Sequence, residues 1–209
     1  MKRRSESSIG LLYGLLAYFI WGSFPLIINA SEFANPFEVV VWRVVFGFLF
    51  AAILVSLVGG WKEIFALIRS VKAMKWVAVA SLFIFINWSV YVVAVATENV
   101  IETSLGYFIN PLVTVLFAVI FLKEKLRSLQ WVALSVGMIA VLVLSFDYGR
   151  LPFIALILAL SFAIYSLAKN KVGKKIPALQ SFTIESGLVL PVALVQLWIV
   201  AQYSPIMIF

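Results

Sequence analysis

Long apolar stretches follow one another along the chain, and the short gaps between them alternate in charge. Lys2, Arg3 and Arg4 precede the first stretch, and Lys62, Arg69, Lys72 and Lys75 precede the third. Lys123, Lys125 and Arg127 precede the fifth; Lys169, Lys171, Lys174 and Lys175 precede the seventh. Of the 16 Lys and Arg residues, only Arg43, inside a stretch, and Arg150 fall elsewhere. The other gaps hold Arg150 and the acids Glu32, Glu98, Glu102 and Asp147. Lysine and arginine are retained on the cytoplasmic side during insertion. The alternation therefore predicts a seven-pass membrane chain with its N-terminus in the cytoplasm.

Only 12% of the 209 residues are charged, against about 25% in soluble domains. That leaves too little polar surface to cover a water-soluble core. The net charge of +7 argues for nucleic acid only when basic residues share one surface. Here they cap apolar spans along one membrane face, so orientation and anionic lipid explain them and no nucleic acid is expected. The absence of Cys removes disulfide and thiol chemistry. The absence of His removes the commonest metal ligand and proton shuttle. Nor is there a metal-ligand cluster or a Gly-rich phosphate loop. No catalytic, cofactor or metal site is expected. The expected location is a bacterial inner (plasma) membrane.

A spanning helix takes about 20 apolar residues. The spans are predicted at Ile9–Ala30, Phe37–Val58, Met74–Ala96, Glu102–Leu122, Leu129–Phe146, Pro152–Ala168 and Leu179–Ala201. The first exceeds a signal-peptide core and reads as an uncleaved span. Trp61, Trp76 and Trp131 mark the inner interface; Trp42, Tyr148 and Tyr203 mark the outer one. Between spans two and three, Gly59–Ala73 spaces Trp61, Ile64, Phe65, Ile68 and Val71 on one side of a helix. That pattern predicts an amphipathic segment shielding its apolar side on lipid. The apolar ending Ser204–Phe209 reads as a truncated chain, since natural ends are usually polar.

Polar groups inside spans are costly and mark candidate sites. Arg43 falls ~9 Å inside the outer end of span two. It is expected either to snorkel outward, to pair with Glu38 or Glu102, or to serve function. Glu185 lies at similar depth from the inner side, where a lysine is the alternative partner. Asn87, Tyr91 and Glu98 share one face of span three; Ser104, Tyr107, Asn110 and Thr114 form a stripe on span four. Such stripes either line a wet cavity or bond helices together. Pro25, Pro111 and Pro191 interrupt spans one, four and seven.

Span six (LSFAIYSL, from Leu160) weakly repeats span one (FIWGSFPL, from Phe19), and Arg43 aligns with Glu185. Five spans separate the copies, an odd number, so the second enters the membrane inverted. Inverted repeats are the ground plan of many secondary carriers, with a site at the midplane. The chain resembles the drug/metabolite transporter superfamily, specifically EamA-type proteins of the chloramphenicol-sensitivity (RarD-like) branch. The segments that carry the resemblance are YFIWGSFP from Tyr18, EVVVWR from Glu38, NWSVY from Asn87, ETSLGYFINPL from Glu102, EKLRSLQW from Glu124 and TIESGLVLP from Thr183. The resemblance implies an all-α polytopic bundle of ten spans in two inverted five-helix repeats. Residues 9–146 would be the first repeat, and 152–209 an incomplete second one.

The expected function is a secondary carrier for a small organic metabolite or drug-like solute, working by alternating access. Trp21, Asn87, Tyr91, Tyr107, Asn110, Pro111 and Tyr165 are the candidates for the substrate pathway. Arg43 and Glu185 are the candidate gating or coupling charges. Expected partners are the bilayer and the solute, with a homodimer left open. A scaffolding or nonfunctional fragment is one alternative. A seven-helix receptor is another, and its outside N-terminus conflicts with Met1–Arg4. A membrane-embedded enzyme lacks acid–base clusters.

Overall fold

The computed structural model describes residues 2–31, 34–147, 149, 151–173 and 176–206, with side chains from Ser8 onward and without that of Asp147. The side chains of Lys2, Arg3 and Arg4 lie outside the described residues, as do Glu32, Tyr148, Arg150, Lys174, Lys175 and Phe209.

The described chain is helical throughout: α1 Lys2–Ala30, α2 Pro36–Val58, α3 Trp61–Ile68, α4 Val71–Ala96, α5 Val100–Leu122, α6 Ser128–Asp147, α7 Phe153–Gly173 and α8 Ala178–Tyr203. All but α3 are long and apolar enough to cross a membrane. The protein is a polytopic membrane bundle. Large apolar side chains stay exposed along whole helix faces, such as Leu11 and Leu15 on α1 and Val132 and Val136 on α6. A soluble domain does not leave faces of that extent uncovered.

Helix starts follow local chemistry. Asn35 caps α2 by accepting from the Phe37 N–H at 3.0 Å, and Pro36 occupies the first turn, where no N–H is needed. Gly59 ends α2 at φ 70°, a left-handed geometry that glycine adopts freely. Ser70 caps α4 through the Ala73 N–H.

The core is built by α2, α4, α5, α7 and α8. Helices α2 and α8 run antiparallel. Gln180 lies against Gly60 at one end, and at the other the Gln196 amide donates to the Phe37 carbonyl at 2.8 Å. Val41 and Val44 meet Val189 and Ala193 between them. Helix α7 packs parallel to α5, where Ile109 meets Ala155 and Ala159, and antiparallel to α4. Helices α1 and α6 are peripheral, with α1 against α4 and α6 against α5.

Four expectations need correction. The amphipathic segment is shorter, because Ser70 caps a new helix and hands Val71 and Lys72 to α4. Its Ile64 and Leu67 are buried with Val55, Val77, Val172 and Ile184, so α3 closes one end of the bundle and only Phe65 and Ile68 remain for lipid. Glu98 leaves the stripe of Asn87 and Tyr91, since α4 stops at Ala96 and Glu98 turns the chain at φ 62°. Pro25, Pro111 and Pro191 lie inside continuous helices. A proline removes one intrahelical donor, and neighbouring turns hold the helix on either side. The α7 span also continues five residues past Ala168, to Gly173.

Candidate functional site

Two charged clusters and one amide clamp occupy the interior. The first centres on Arg43, on α2 seven residues past Pro36 and so ~10 Å along the helix. Its guanidinium carbon lies 4.9 Å from the centroid of the Phe24 ring and 4.7 Å from that of Trp88. Both are cation–π distances. Tyr91 follows Trp88 by three residues, on the same face of α4. Tyr91 is buried and stands edge-on to Tyr107, with ring centroids 5.8 Å apart, while Tyr107 is half-exposed. Four helices, α1, α2, α4 and α5, thus contribute one ring or charge each or more.

The carboxylates considered for Arg43 are engaged elsewhere. Glu38 is fully buried and accepts from the Trp42 indole N–H at 3.1 Å, one turn along the same face. Five helical positions separate it from Arg43, which points the two to different sides. Glu102 is buried and accepts from the Ile154 N–H at 2.9 Å, capping the first turn of α7. A negative charge suits that helix end. Among the described residues, Arg43 meets rings instead of a carboxylate.

The second cluster centres on Glu185 of α8, which is buried. Lys169 of α7 forms an ion pair with it at 2.6 Å, and the Ser181 hydroxyl donates to the same oxygen at 2.7 Å. The Lys169 ammonium also donates to the Ser181 oxygen at 2.5 Å. The Tyr165 hydroxyl stands 3.5 Å from the other carboxylate oxygen, and the ammonium lies 5.8 Å from the Tyr165 ring centroid. The partner of Glu185 is therefore a lysine of the preceding gap.

Asn87 is buried on α4 and donates to the Leu158 carbonyl at 2.9 Å and to the Ser161 hydroxyl at 3.0 Å. It ties α4 to α7. The expected pathway residues therefore separate. Tyr91 and Tyr107 gather around Arg43, Tyr165 joins Glu185, and Asn87 sits in a helix seam. Trp21 is exposed and edge-on to Tyr18; Pro111 is exposed, and Asn110 accepts from the Thr114 hydroxyl on its own helix at 3.1 Å. None of these last three joins either cluster.

An apolar crevice of about 160 Å³ runs between α5 and α6, lined by Ile109, Leu112, Leu116 and Met138. A groove of about 690 Å³ lies where α3, the start of α4 and the end of α7 meet, lined by Ser70, Lys72, Trp76 and Lys171 among others. Neither reaches Arg43 or Asn87. Among the described residues, no three His, Cys, Asp or Glu side chains gather as metal ligands.

Sequence reasoning missed Phe24, Trp88, Ser161 and Lys169 as individual contributors. Trp88 and Phe24 were visible as aromatics within spans, with nothing in the sequence to pair them with Arg43. Lys169 was masked by its role in the topology signal, and Ser161 carried no signal of its own.

The comparisons agree with this architecture. The EamA-like transporter family matches residues 8–146. The chain is 36% identical to the uncharacterized transporter YojE of Bacillus subtilis over 92% of its length and 65% of that protein. It is 39% identical to protein RarD of Streptomyces exfoliatus, covering 97% of the chain and 64% of that protein. For protein RarD of Escherichia coli the identity is 37%, over 93% and 65%. The chain thus spans about two-thirds of the length of these relatives. No solved structure matches it. An apolar seven-span bundle with these relatives has one assignment: the chain belongs to the EamA-like transporter family and is RarD-like within it.

Proposed function

We propose that the chain works as a secondary carrier, or as the larger part of one, moving a small organic solute across an inner membrane by alternating access. In this reading the lysine-rich loops and the N-terminus face the cytoplasm, and residues 9–146 form one five-span repeat facing an inverted second repeat from residue 152. The observation that carries the reading is the pair of charge clusters at membrane depth in a bundle of this family. Arg43 among aromatic rings and Glu185 with Lys169 are costly in hydrocarbon. Plain helix packing does not call for Arg43, since the seams around it are closed largely by apolar residues such as Val41, Val44, Val189 and Ala193.

Tyr107 then meets the solute, because it is half-exposed and stands edge-on to Tyr91. Glu185 and Lys169 act as a charge pair whose separation accompanies the change of access. Rings and a few polar groups suit a small organic molecule better than a bare ion. The test is solute flux in proteoliposomes with the chain reconstituted, across a panel of small organic acids, amines and neutral metabolites. Saturable uptake of at least one class, lost in Tyr107→Ala, is the expected result. Rates equal to those of protein-free vesicles for every class would reject the reading that the chain transports by itself.

A further inference from the structure

We propose that Arg43, with Tyr91 and Tyr107, forms a binding site for the carboxylate of an organic anion. The inference names the substrate class of the proposed carrier, and rests on that reading only in treating the bound anion as cargo.

A guanidinium carries five N–H donors in a planar fork and stays charged. Among the described residues, Arg43 makes no hydrogen bond and no ion pair; its only close contacts of polar character are the Phe24 and Trp88 rings. Rings satisfy the cation's charge over its face and leave the in-plane donors unused. Arg43 is half-buried and not sealed in the core. It lies ~10 Å along α2 from the helix start. An unpaired cation at that depth is costly, and such groups pair with one another or mark a substrate path. Of the two acids considered as partners, Glu38 accepts from Trp42 through Oε1 while its buried Oε2 accepts no hydrogen bond, and its helical offset turns it away from Arg43; Glu102 accepts from the Ile154 N–H. On this proposal the missing partner is an anion from outside the described residues.

Carboxylate fits the donors better than a spherical ion, because the fork binds two oxygens in parallel. The hydroxyls of Tyr91 and Tyr107 supply further donors from α4 and α5. Tyr107, half-exposed, leaves one side open for the body of the molecule. Closing the site on an anion would also tie α1, α2, α4 and α5 together through a single charge, which couples binding to helix position.

The experiment compares carboxylates with their neutral amides on the purified chain in nanodiscs of zwitterionic lipid. The probes are benzoate and benzamide, phenylacetate and phenylacetamide, hexanoate and hexanamide. Binding is read by tryptophan fluorescence, since Trp88 touches Arg43. Wild type is expected to prefer the carboxylate of a pair by about ten-fold, the value of one charge-assisted hydrogen bond. Arg43→Gln should bind both members alike, and Arg43→Lys should recover part of the preference. Modification of Arg43 by phenylglyoxal, read by mass spectrometry on the wild-type chain, needs no variant. The carboxylate should protect Arg43, and the amide should not. Equal affinity for acid and amide in wild type, or a preference that survives Arg43→Gln, overturns the site. A carboxylate that binds and protects but is never transported upholds the site and removes the carrier reading instead.

Discussion

The ion pair between Lys169 and Glu185 shows how a membrane chain manages a buried charge. Glu185 is 4% exposed and Lys169 27%. Desolvating both is expensive, and the Ser181 hydroxyl and the close ammonium recover part of it. Losing one partner leaves the other uncompensated. Lys169→Met should therefore lower unfolding stability by about 3 kcal/mol, the lower end for a buried pair because the lysine is partly open. Lys169→Met with Glu185→Leu should return close to wild type. Thermal melts of the three proteins in one detergent would show this as a large drop followed by recovery. A double variant as unstable as the single one would mean that the pair itself holds α7 to α8. Asn87 obeys a different rule. Its bonds to Leu158 and Ser161 are glue between α4 and α7, and such bonds average about 0.6 kcal/mol in membrane proteins. Asn87→Leu should cost about 1 kcal/mol, read in the same melts, because Ser161 keeps its own bond to Leu158.

Between elements, α5 meets α7 with backbone against backbone. A Cβ built on Gly106 would lie 3.1 Å from the Ala155 Cα, from its carbonyl oxygen and from the Leu158 Cβ. Backbone cannot swing aside as a side chain does. Gly106→Ala should cost about 1–3 kcal/mol through overpacking. Gly47→Ala meets only the tip of the Phe182 ring, at 3.4 Å, and should leave the melting temperature within a degree or two. Equal melts for the two variants would show that α5 and α7 slide apart freely. The existence and order of these helices were legible in the sequence, because hydropathy and loop charge are local properties. The helix ends were readable to a few residues, except where a cap intervened, as Ser70 does in splitting α3 from α4. The pairing of elements was not legible. Gly106 against Ala155 and Gln196 against Phe37 join residues far apart in the chain, and one sequence carries no record of such contacts. The site divides the same way. Arg43 and Glu185 stood out because charge at membrane depth is conspicuous, while their partners Trp88 and Lys169 became partners only once α4 and α7 were placed.

For the whole molecule, the decisive property is which ends of the helices share a side of the membrane. The antiparallel α2–α8 and α4–α7 pairs and the parallel α5–α7 pair already impose one arrangement of helix directions. The turn after α5, at Lys123–Arg127, then lies on the side opposite to the turn before α7. Helix α6, 20 residues from Ser128 to Asp147, rises ~30 Å and so matches the hydrocarbon thickness of about 30 Å. It crosses once, with no length left to return. The chain contains no cysteine, so single cysteines report position without background. Lys125→Cys and Leu151→Cys are both at exposed positions flanking α6. In intact cells, a membrane-impermeant maleimide should label Leu151→Cys and leave Lys125→Cys untouched until the membrane is opened. Thr97→Cys, in the turn between α4 and α5, should behave like Leu151→Cys. Labelling of Lys125 and Leu151 from the same side would break the single crossing of α6, and with it the inverted relation between the two halves on which an alternating-access carrier depends.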